Sequence, residues 1–407
     1  MIERIETVVI GGGQAGLAMS YYLSQRGREH VILERQRVAE RWRSERWDSL
    51  AFQSPNWNIR LPGFELSAAD PDAFASRQEV VGFIERYADF IRAPLRCGVA
   101  ATLLRRTPDL KRLLVETPTG AIEARNVVIA TGPFQVPVAP VSIGGKALHL
   151  HSSRYRNPQQ LPPGAILVIG SGNSGAQIAE ELCTSGRRVF LSVGRHRRIP
   201  RRYRGKDYTW WYLAFGEGDT TIEQQREELP PRLLTGVDGG HDLNLHQLAA
   251  DGVTLLGRVL GGQDGKLAIA NDLGENLARG DASFADFTRQ ADDYATRQRL
   301  ELPPCESSNN ALHDPKEVTD PILTLGIASA GISTIIWAHG FRYDFDWIDL
   351  PIFAETSSFG RVPRHRRGIT AISGVYFLGL PWLHKLKSAF LNGVGEDAEY
   401  LAAHISR

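Results

Sequence analysis

Thr7-Val8-Val9-Ile10-Gly11-Gly12-Gly13-Gln14-Ala15-Gly16-Leu17 is the stretch on which the fold turns. Its short apolar run suits a strand buried on both faces of a parallel sheet. Glycines 11, 13 and 16 follow at once in the spacing GxGxxG, and a helical pattern occupies residues 17–25. Gly27 stops that helix, and His30-Val31-Ile32-Leu33 forms a second strand ending at Glu34-Arg35. In such a βαβ unit the first glycine permits the tight turn and the second lets backbone approach a pyrophosphate. The third lets the helix pack on the strand. Gln14 and Ala15, within the glycine turn, are counted as cofactor-binding, and the phosphate is expected on the helix N-terminus, where free N–H groups and the dipole favour an anion. Glu34 ends the second strand, with Arg35 next to it, and is placed to accept hydrogen bonds from ribose hydroxyls.

The unit recurs. Ala165-Ile166-Leu167-Val168-Ile169 is a strand, Gly170-Ser171-Gly172-Asn173-Ser174-Gly175 a second GxGxxG, and residues 176–184 its helix. The partner strand, residues 188–193, has no acid at the position of Glu34. Arginines follow instead, at 195, 197 and 198 and again at 201, 202 and 204. Such a run is either a solvated basic loop or a cluster that accommodates a 2′-phosphate. Beside a fingerprint without its acid the phosphate reading is preferred, with Arg195 and Arg198 as forked donors. One acidic-ended and one basic-ended fingerprint mean two different dinucleotides, FAD in the first and NADPH in the second.

Between the fingerprints, residues 121–126 lead into a strand at Val127-Val128-Ile129-Ala130, followed by Thr131-Gly132-Pro133. Ala130, Thr131 and Gly132 are expected to bring backbone against a cofactor, and Ala101, in the same segment, is counted with them. Pro133, Pro137, Pro140, Pro158, Pro162 and Pro163 suggest a stiff linker and a boundary near residue 160. Further strands are expected at residues 252–257, 335–340 and 374–379, and a helix at 284–299. The expected fold is α/β, two nested Rossmann-like three-layer domains, the NADPH domain inserted into a discontinuous FAD domain. The expected bounds are 1–160, 161–340 with a helical elaboration at about 205–304, and 341–407.

Composition narrows the function classes. The 407 residues carry 47 Lys plus Arg against 46 Asp plus Glu, a net charge of +1, which gives no electrostatic reason to expect nucleic acid or anionic membrane. No apolar run approaches the ~18 residues needed to cross a bilayer, and no signal peptide is evident. Cys97, Cys183 and Cys305 are scattered, without a CxxC pair, so neither a dithiol centre nor a metal site is expected and a reducing cytoplasm fits. GxSxG, HExxH and a Walker lysine are all missing. His149 and His151 have no partner acids at useful spacing and read as structural, and Cys183 as an inert residue on a core face. Tyr208-Thr209-Trp210-Trp211-Tyr212 reads either as the aromatic lip of a pocket or as a buried helix.

The order GGGQAG, ATGPFQVP, GSGNSG, WAHGF and a terminal FLGL strand resembles the class B flavoprotein monooxygenases, which include flavin-containing monooxygenases, auxin-forming monooxygenases, N-hydroxylases and Baeyer–Villiger enzymes. The resemblance covers essentially the whole chain and is nearest to bacterial flavin-containing-monooxygenase-like oxidoreductases. It implies that NADPH reduces FAD and that O₂ adds to the flavin as a C4a-hydroperoxide, shielded by NADP⁺. Oxygen then passes to nitrogen, sulfur or activated carbon of a small molecule. Three positions depart from the pattern. Of the signature FxGxxxHxxxY only His151-Ser152-Ser153-Arg154-Tyr155 is kept, with Ile143 for the leading Phe. His339 stands where relatives have Thr, and Gln53 where they carry Asn or His near flavin N5.

The resemblance makes Gln53 and Asn56 the candidate catalytic residues, neutral amides that hydrogen-bond the flavin or its oxygen adduct without titrating. Trp42 and Trp47 are read as walls of the flavin, whereas Trp57 is read as core. The last strand ends at Gly379, followed by Leu380 where relatives place an Asp. The helix starting at Asn392-Gly393-Val394 is expected against the flavin pyrimidine, its N–H groups stabilising the reduced ring. The function expected is an NADPH- and O₂-dependent monooxygenase, with a flavin reductase or oxidase without oxygen transfer, or Baeyer–Villiger insertion, as alternatives. A redox sensor without turnover is the third class. A small-molecule substrate and O₂ are its partners, and a homodimer is one assembly open to it.

Overall fold

A computed structural model of the protein describes residues 2–139, 143, 146–225, 229–304, 313–354 and 360–407. Cys305, Pro140 and the pair Gly144-Gly145 lie outside the described residues. The first half of the framework is β1 (Glu3–Ile10), α1 (Gln14–Gln25), β2 (His30–Glu34), α2 (Arg77–Phe90), β3 (Leu95–Cys97), β4 (Leu103–Arg106), β5 (Leu113–Thr117) and β6 (Gly120–Ile129). Then come β7 (Leu148–His151), β8 (Ala165–Ile169), α3 (Asn173–Thr184), β9 (Val189–Ser192), α4 (Tyr208–Ala214) and β10 (Thr254–Leu256). The remainder is α5 (Leu273–Arg297), β11 (Ile332–Trp337), β12 (Val375–Phe377) and α6 (Val394–Ile405).

The first sheet runs β3-β2-β1-β6-β5-β4. Its strands are parallel as far as β6, after which β5 and β4 return antiparallel. β6 serves two further neighbours in turn: residues 120–124 pair with β5, and 127–129 pair in parallel with β12. Since β12 comes from the far end of the chain, both ends build this domain, and Val8, Val128, Phe345, Phe377 and Leu401 share one core. The second sheet, β7-β11-β8-β9-β10, is wholly parallel. Alternate residues of β8 enter different cores, Ile166 and Val168 on one face and Leu167 and Ile169 on the other. A strand covered on both faces has no room for polar alternation, hence the unbroken apolar run. The two chain crossings lie side by side, Val136–Pro137 antiparallel to Phe341–Arg342.

Three features differ from the sequence reading or settle it. The supposed linker contains β7, an edge strand of the second sheet, so residue 160 falls between β7 and β8. Leu148-His149-Leu150-His151 does alternate as a strand should, but the surrounding prolines masked it. Helix α5 begins at Leu273, well before Phe284; Gly274 and Gly280 in its first turns lower helix propensity and hid that start from the sequence. Gly280 is there for packing: a Cβ would stand 2.6 Å from His196 Nε2. The aromatic run at 208–212 is the buried helix α4, with Trp211 fully buried and its Nε1 donating to Tyr203 O at 3.0 Å. Among the described residues no helix is long and apolar enough to cross a membrane.

Candidate active site

The C-terminal ends of β1, β6 and β12 meet at the first glycine loop, the usual ligand edge of a parallel sheet. Gly11 has φ +117°, and a Cβ there would lie 2.5 Å from Ala130 O. A Cβ on Gly16 would collide with Gly11 O, so this glycine exists for helix-on-strand contact. Gly13 is different. A Cβ there meets nothing within 4 Å, and the space is free for a ligand. Helix α1 starts at Gly13 with no side-chain cap and no acid in its first turn, whereas α2 has a full capping box from Ser76 and Glu79. Uncapped N–H groups facing open space fit a pyrophosphate. Glu34 accepts from Gly12 N at 2.7 Å and Gln36 N at 2.9 Å, and a carboxylate retains lone pairs for ribose hydroxyls. Arg35 is exposed and Ala101 half-buried on the core.

The second loop repeats this logic. Gly170 has φ +104° and would place a Cβ 2.7 Å from Ala338 O, and Gly175 is closed by Gly170 O. Gly172 has only Pro231 Cγ nearby, at 3.8 Å, and begins α3 without a cap or an early acid. The Asn173 carboxamide accepts from Leu234 N at 2.8 Å, and Ser174 is half-buried. Ile10 pairs with Leu33 as Ile169 pairs with Ser192, so the counterpart of Glu34 is the apolar Val193. The arginines divide. Arg195 is exposed and makes no ion pair among the described residues. Arg198 is held by Asp281 at 2.9 Å, its guanidinium 4.4 Å from the Phe284 ring. Arg202 donates to the Gly239 and Gly240 carbonyls, and Arg204 pairs with Asp292.

Residues 42–58, expected beside the flavin, bridge the domains. Trp42 lies 5.8 Å from Phe52, and the Arg46 guanidinium sits between the rings of Trp42 and Phe134, 5.6 and 5.1 Å away. Burial pushes the Arg46 pKa down to about 10. Trp47 is only 4% exposed and packs with Leu50 and Tyr155 in the core of the second domain. Ser49 Oγ and Tyr155 Oη both donate to Glu181, at 2.8 and 2.7 Å. Gln53 is half-buried, and its side-chain amide has no hydrogen bond among the described residues. Asn56 donates to Asp70 O at 2.9 Å, while its Oδ1 is buried without a partner. An orphaned buried acceptor is costly unless something meets it.

The C-terminal segment closes over the same region. Asn392 Nδ2 donates to Asn58 Oδ1 at 3.0 Å, and Gln14 Nε2 to Ala389 O at 2.6 Å. Gly379, with φ +76°, would press a Cβ to 2.5 Å from Ala15 Cβ, so the last strand ends on the first helix. Gly393 caps α6, Val394 is buried, and Leu380 is buried too. The ATG turn is tied down by Gln135, which donates to Thr131 Oγ1 and Gly132 O and accepts from Asp344 N. His151 bonds Ser153 and Gly340 O, and His149 accepts from Trp337 Nε1; both are structural contacts. Burial raises the thiol pKa of Cys97 and of Cys183, so neither is an activated thiolate. Among the described residues no group of three His, Cys, Asp or Glu is arranged for a metal. Sequence reasoning missed the Tyr155–Glu181–Ser49 contact, whose partners are 26 and 132 positions apart, and the burial of Arg201, whose fork partner Asp207 is 6 positions away but whose Gln53 contact is 148 away.

The profile of the pyridine nucleotide-disulphide oxidoreductases matches residues 8–210. An uncharacterized CzcO-like oxidoreductase of Geobacillus kaustophilus is 32% identical over 98% of both chains. The indole-3-pyruvate monooxygenase YUCCA4 of Oryza sativa is 28% identical over 46% of each chain. The solved flavin-containing monooxygenase of Stenotrophomonas maltophilia superimposes with a TM-score of 0.66, covering 100% of this chain and 99% of the other, at 20% identity. That last likeness speaks for the fold. With 32% identity over 98% of both chains and the two glycine cradles in place, the chain belongs to the CzcO-like oxidoreductases.

Proposed function

We propose that the protein is an NADPH- and O₂-dependent FAD monooxygenase that oxygenates a small organic molecule at nitrogen, sulfur or activated carbon. The observation that carries this reading is the doubled cradle, in which Gly13 and Gly172 face open space while the glycines flanking each are packed shut. Glu34 selects the ribose of FAD at the first site. At the second, taken as part of an inserted domain of residues 161–340, Val193 removes the carboxylate that would repel a 2′-phosphate and Arg195 attracts it. Held at the first cradle by the Gly13 turn and Glu34, FAD would supply the redox chemistry that links NADPH oxidation to O₂, with one oxygen atom going to the substrate and the other to water. Gln53 and Asn56 supply neutral amide groups that hold oxygen without drawing off a proton. Trp42, Gln14 and the Asn392–Gly393 turn flank the flavin.

Two observations favour oxygen transfer over disulfide reduction: the chain has no CxxC, and burial raises both described thiols. The free thiols of Cys97 and Cys183 and a pyridine-nucleotide donor fit a reducing cytoplasm, the location we propose. The test is NADPH turnover under ¹⁸O₂ with amines, thioethers, indoles and ketones. One ¹⁸O in the product per NADPH is expected for the right substrate. Quantitative hydrogen peroxide with every compound would mean an oxidase or reductase instead.

A further inference from the structure

Arg201 is 1% exposed, the only buried arginine or lysine among the described residues. Desolvating a guanidinium is expensive unless its donors are met, and an arginine has five N–H bonds to satisfy. Here all five find acceptors. Nε donates to Asp207 Oδ2 at 2.9 Å and Nη2 to Asp207 Oδ1 at 2.5 Å, a two-point fork. Nη2 also reaches Thr209 Oγ1 at 3.4 Å, and Nη1 donates to Thr235 O at 3.5 Å and Gln53 O at 2.8 Å. Four of these contacts lie within the same excursion of the second domain. The fifth crosses to the first domain and ends on the backbone of Gln53.

The loop is gripped from the other side as well. A Cβ on Gly236 would overlap Phe52 O, and one on Gly240 would lie 2.7 Å from the Phe74 ring. Phe74 in turn lies 4.8 Å under the Arg201 guanidinium, and Phe52 N donates to Ala75 O at 2.7 Å. The successive carbonyls of Phe52 and Gln53 are therefore held by Gly236 and Arg201 respectively, while the Gln53 side-chain amide stays unbonded among the described residues.

We propose that Arg201 is a positioning residue for Gln53: from the second domain it fixes the backbone of the Gln53 loop, and so places a free amide at the domain interface. The proposal rests on the oxygen-handling role given to Gln53 above. Arg201→Lys keeps the charge but offers one compact ammonium, unable to hold the Asp207 fork and the Gln53 carbonyl together. Hydrogen exchange of the purified holoprotein over residues 50–58 is expected to run about tenfold faster in this variant, the loss of one charge-assisted bond. Peroxide released per NADPH should rise about threefold, a larger change than any fall in the rate of flavin reduction. Gly236→Ala pushes on the adjoining Phe52 carbonyl while leaving Arg201 itself unchanged, and should show the same pair of changes. Unaltered exchange over residues 50–58 in Arg201→Lys overturns the proposal. So does a fully coupled Gly236→Ala enzyme whose loop exchange has risen. If the unmodified protein makes only peroxide, the oxygen-transfer reading fails, and the exchange measurement alone then upholds or overturns the positioning role.

Discussion

Gly13→Ala and Gly16→Ala, three positions apart, should fail in opposite ways. Gly13 has φ −91° and ψ −171°, extended backbone that alanine adopts freely, and its Cβ would meet no protein atom within 4 Å. Alanine is a poorer N-cap than glycine by ~0.5–1 kcal/mol, but it lowers unfolded-state entropy by a like ~0.4–1 kcal/mol. Apoprotein stability should therefore change by less than about 0.5 kcal/mol, under a few degrees in Tm. The methyl group occupies the space through which pyrophosphate must approach the N–H groups of α1. Losing one or two charge-assisted hydrogen bonds at ~1.5–3 kcal/mol each weakens FAD binding by roughly 10- to 10⁴-fold. Gly16→Ala drives a methyl into Gly11 O, overpacking worth ~1–3 kcal/mol or more, and should lower the Tm of the apoprotein itself. Scanning calorimetry of apoprotein and fluorescence titration with FAD read the two effects separately. A Gly13→Ala protein that binds FAD within threefold of normal would show that the loop is a packing turn and not a phosphate cradle.

Three further outcomes follow from the geometry. Arg195→Ser should raise the KM for NADPH by roughly one to two orders of magnitude, ~1.4–2.8 kcal/mol, and leave NADH little changed; Arg198→Ser should do less, because Asp281 already neutralises it. Equal use of both coenzymes by the unmodified enzyme refutes the 2′-phosphate assignment. Gln53→Ala should keep FAD and rapid reduction but uncouple NADPH consumption from product, measured as peroxide per NADPH; intact coupling with slow reduction would move Gln53 to the nicotinamide side. His241 donates to Glu180 at 2.8 Å, which raises its pKa. A raised folded value means stabilisation that is full below the unfolded pKa of ~6.5 and lost as pH rises through the folded pKa. His241→Gln should therefore lower Tm more at pH 5.5 than at pH 9, and an equal loss at both would remove the charge from the account.

How far the sequence could be read depends on how local each constraint is. Strand, glycine turn, helix and second strand are set by neighbours within thirty residues, and Val8, Gly11, Gly16 and Glu34 took the positions their spacing required. The second unit repeated them, down to Val193 in place of the acid. The Cβ contacts even separate the ligand glycine, Gly13, from the packing glycines on either side. β7 was legible by its alternation but hidden among prolines, and Ser76-Arg77-Gln78-Glu79 announced the start of α2 to a reader looking for a capping box.

What only the tertiary structure decided lies between the domains. In the sequence Arg201 is one of six arginines in a ten-residue basic run, and nothing within that run separates it from Arg195. Folding buries one against Asp207 and the Gln53 carbonyl and leaves the other exposed. Trp47 likewise reads as a cofactor wall from its neighbours, yet packs into the core of a domain that begins a hundred residues later. A hydrogen bond from Arg201 to Gln53 spans 148 positions of chain. Periodicity carries information over a turn of helix or a pair of residues, whereas burial and charge neutralisation depend on which distant surface is brought against the side chain.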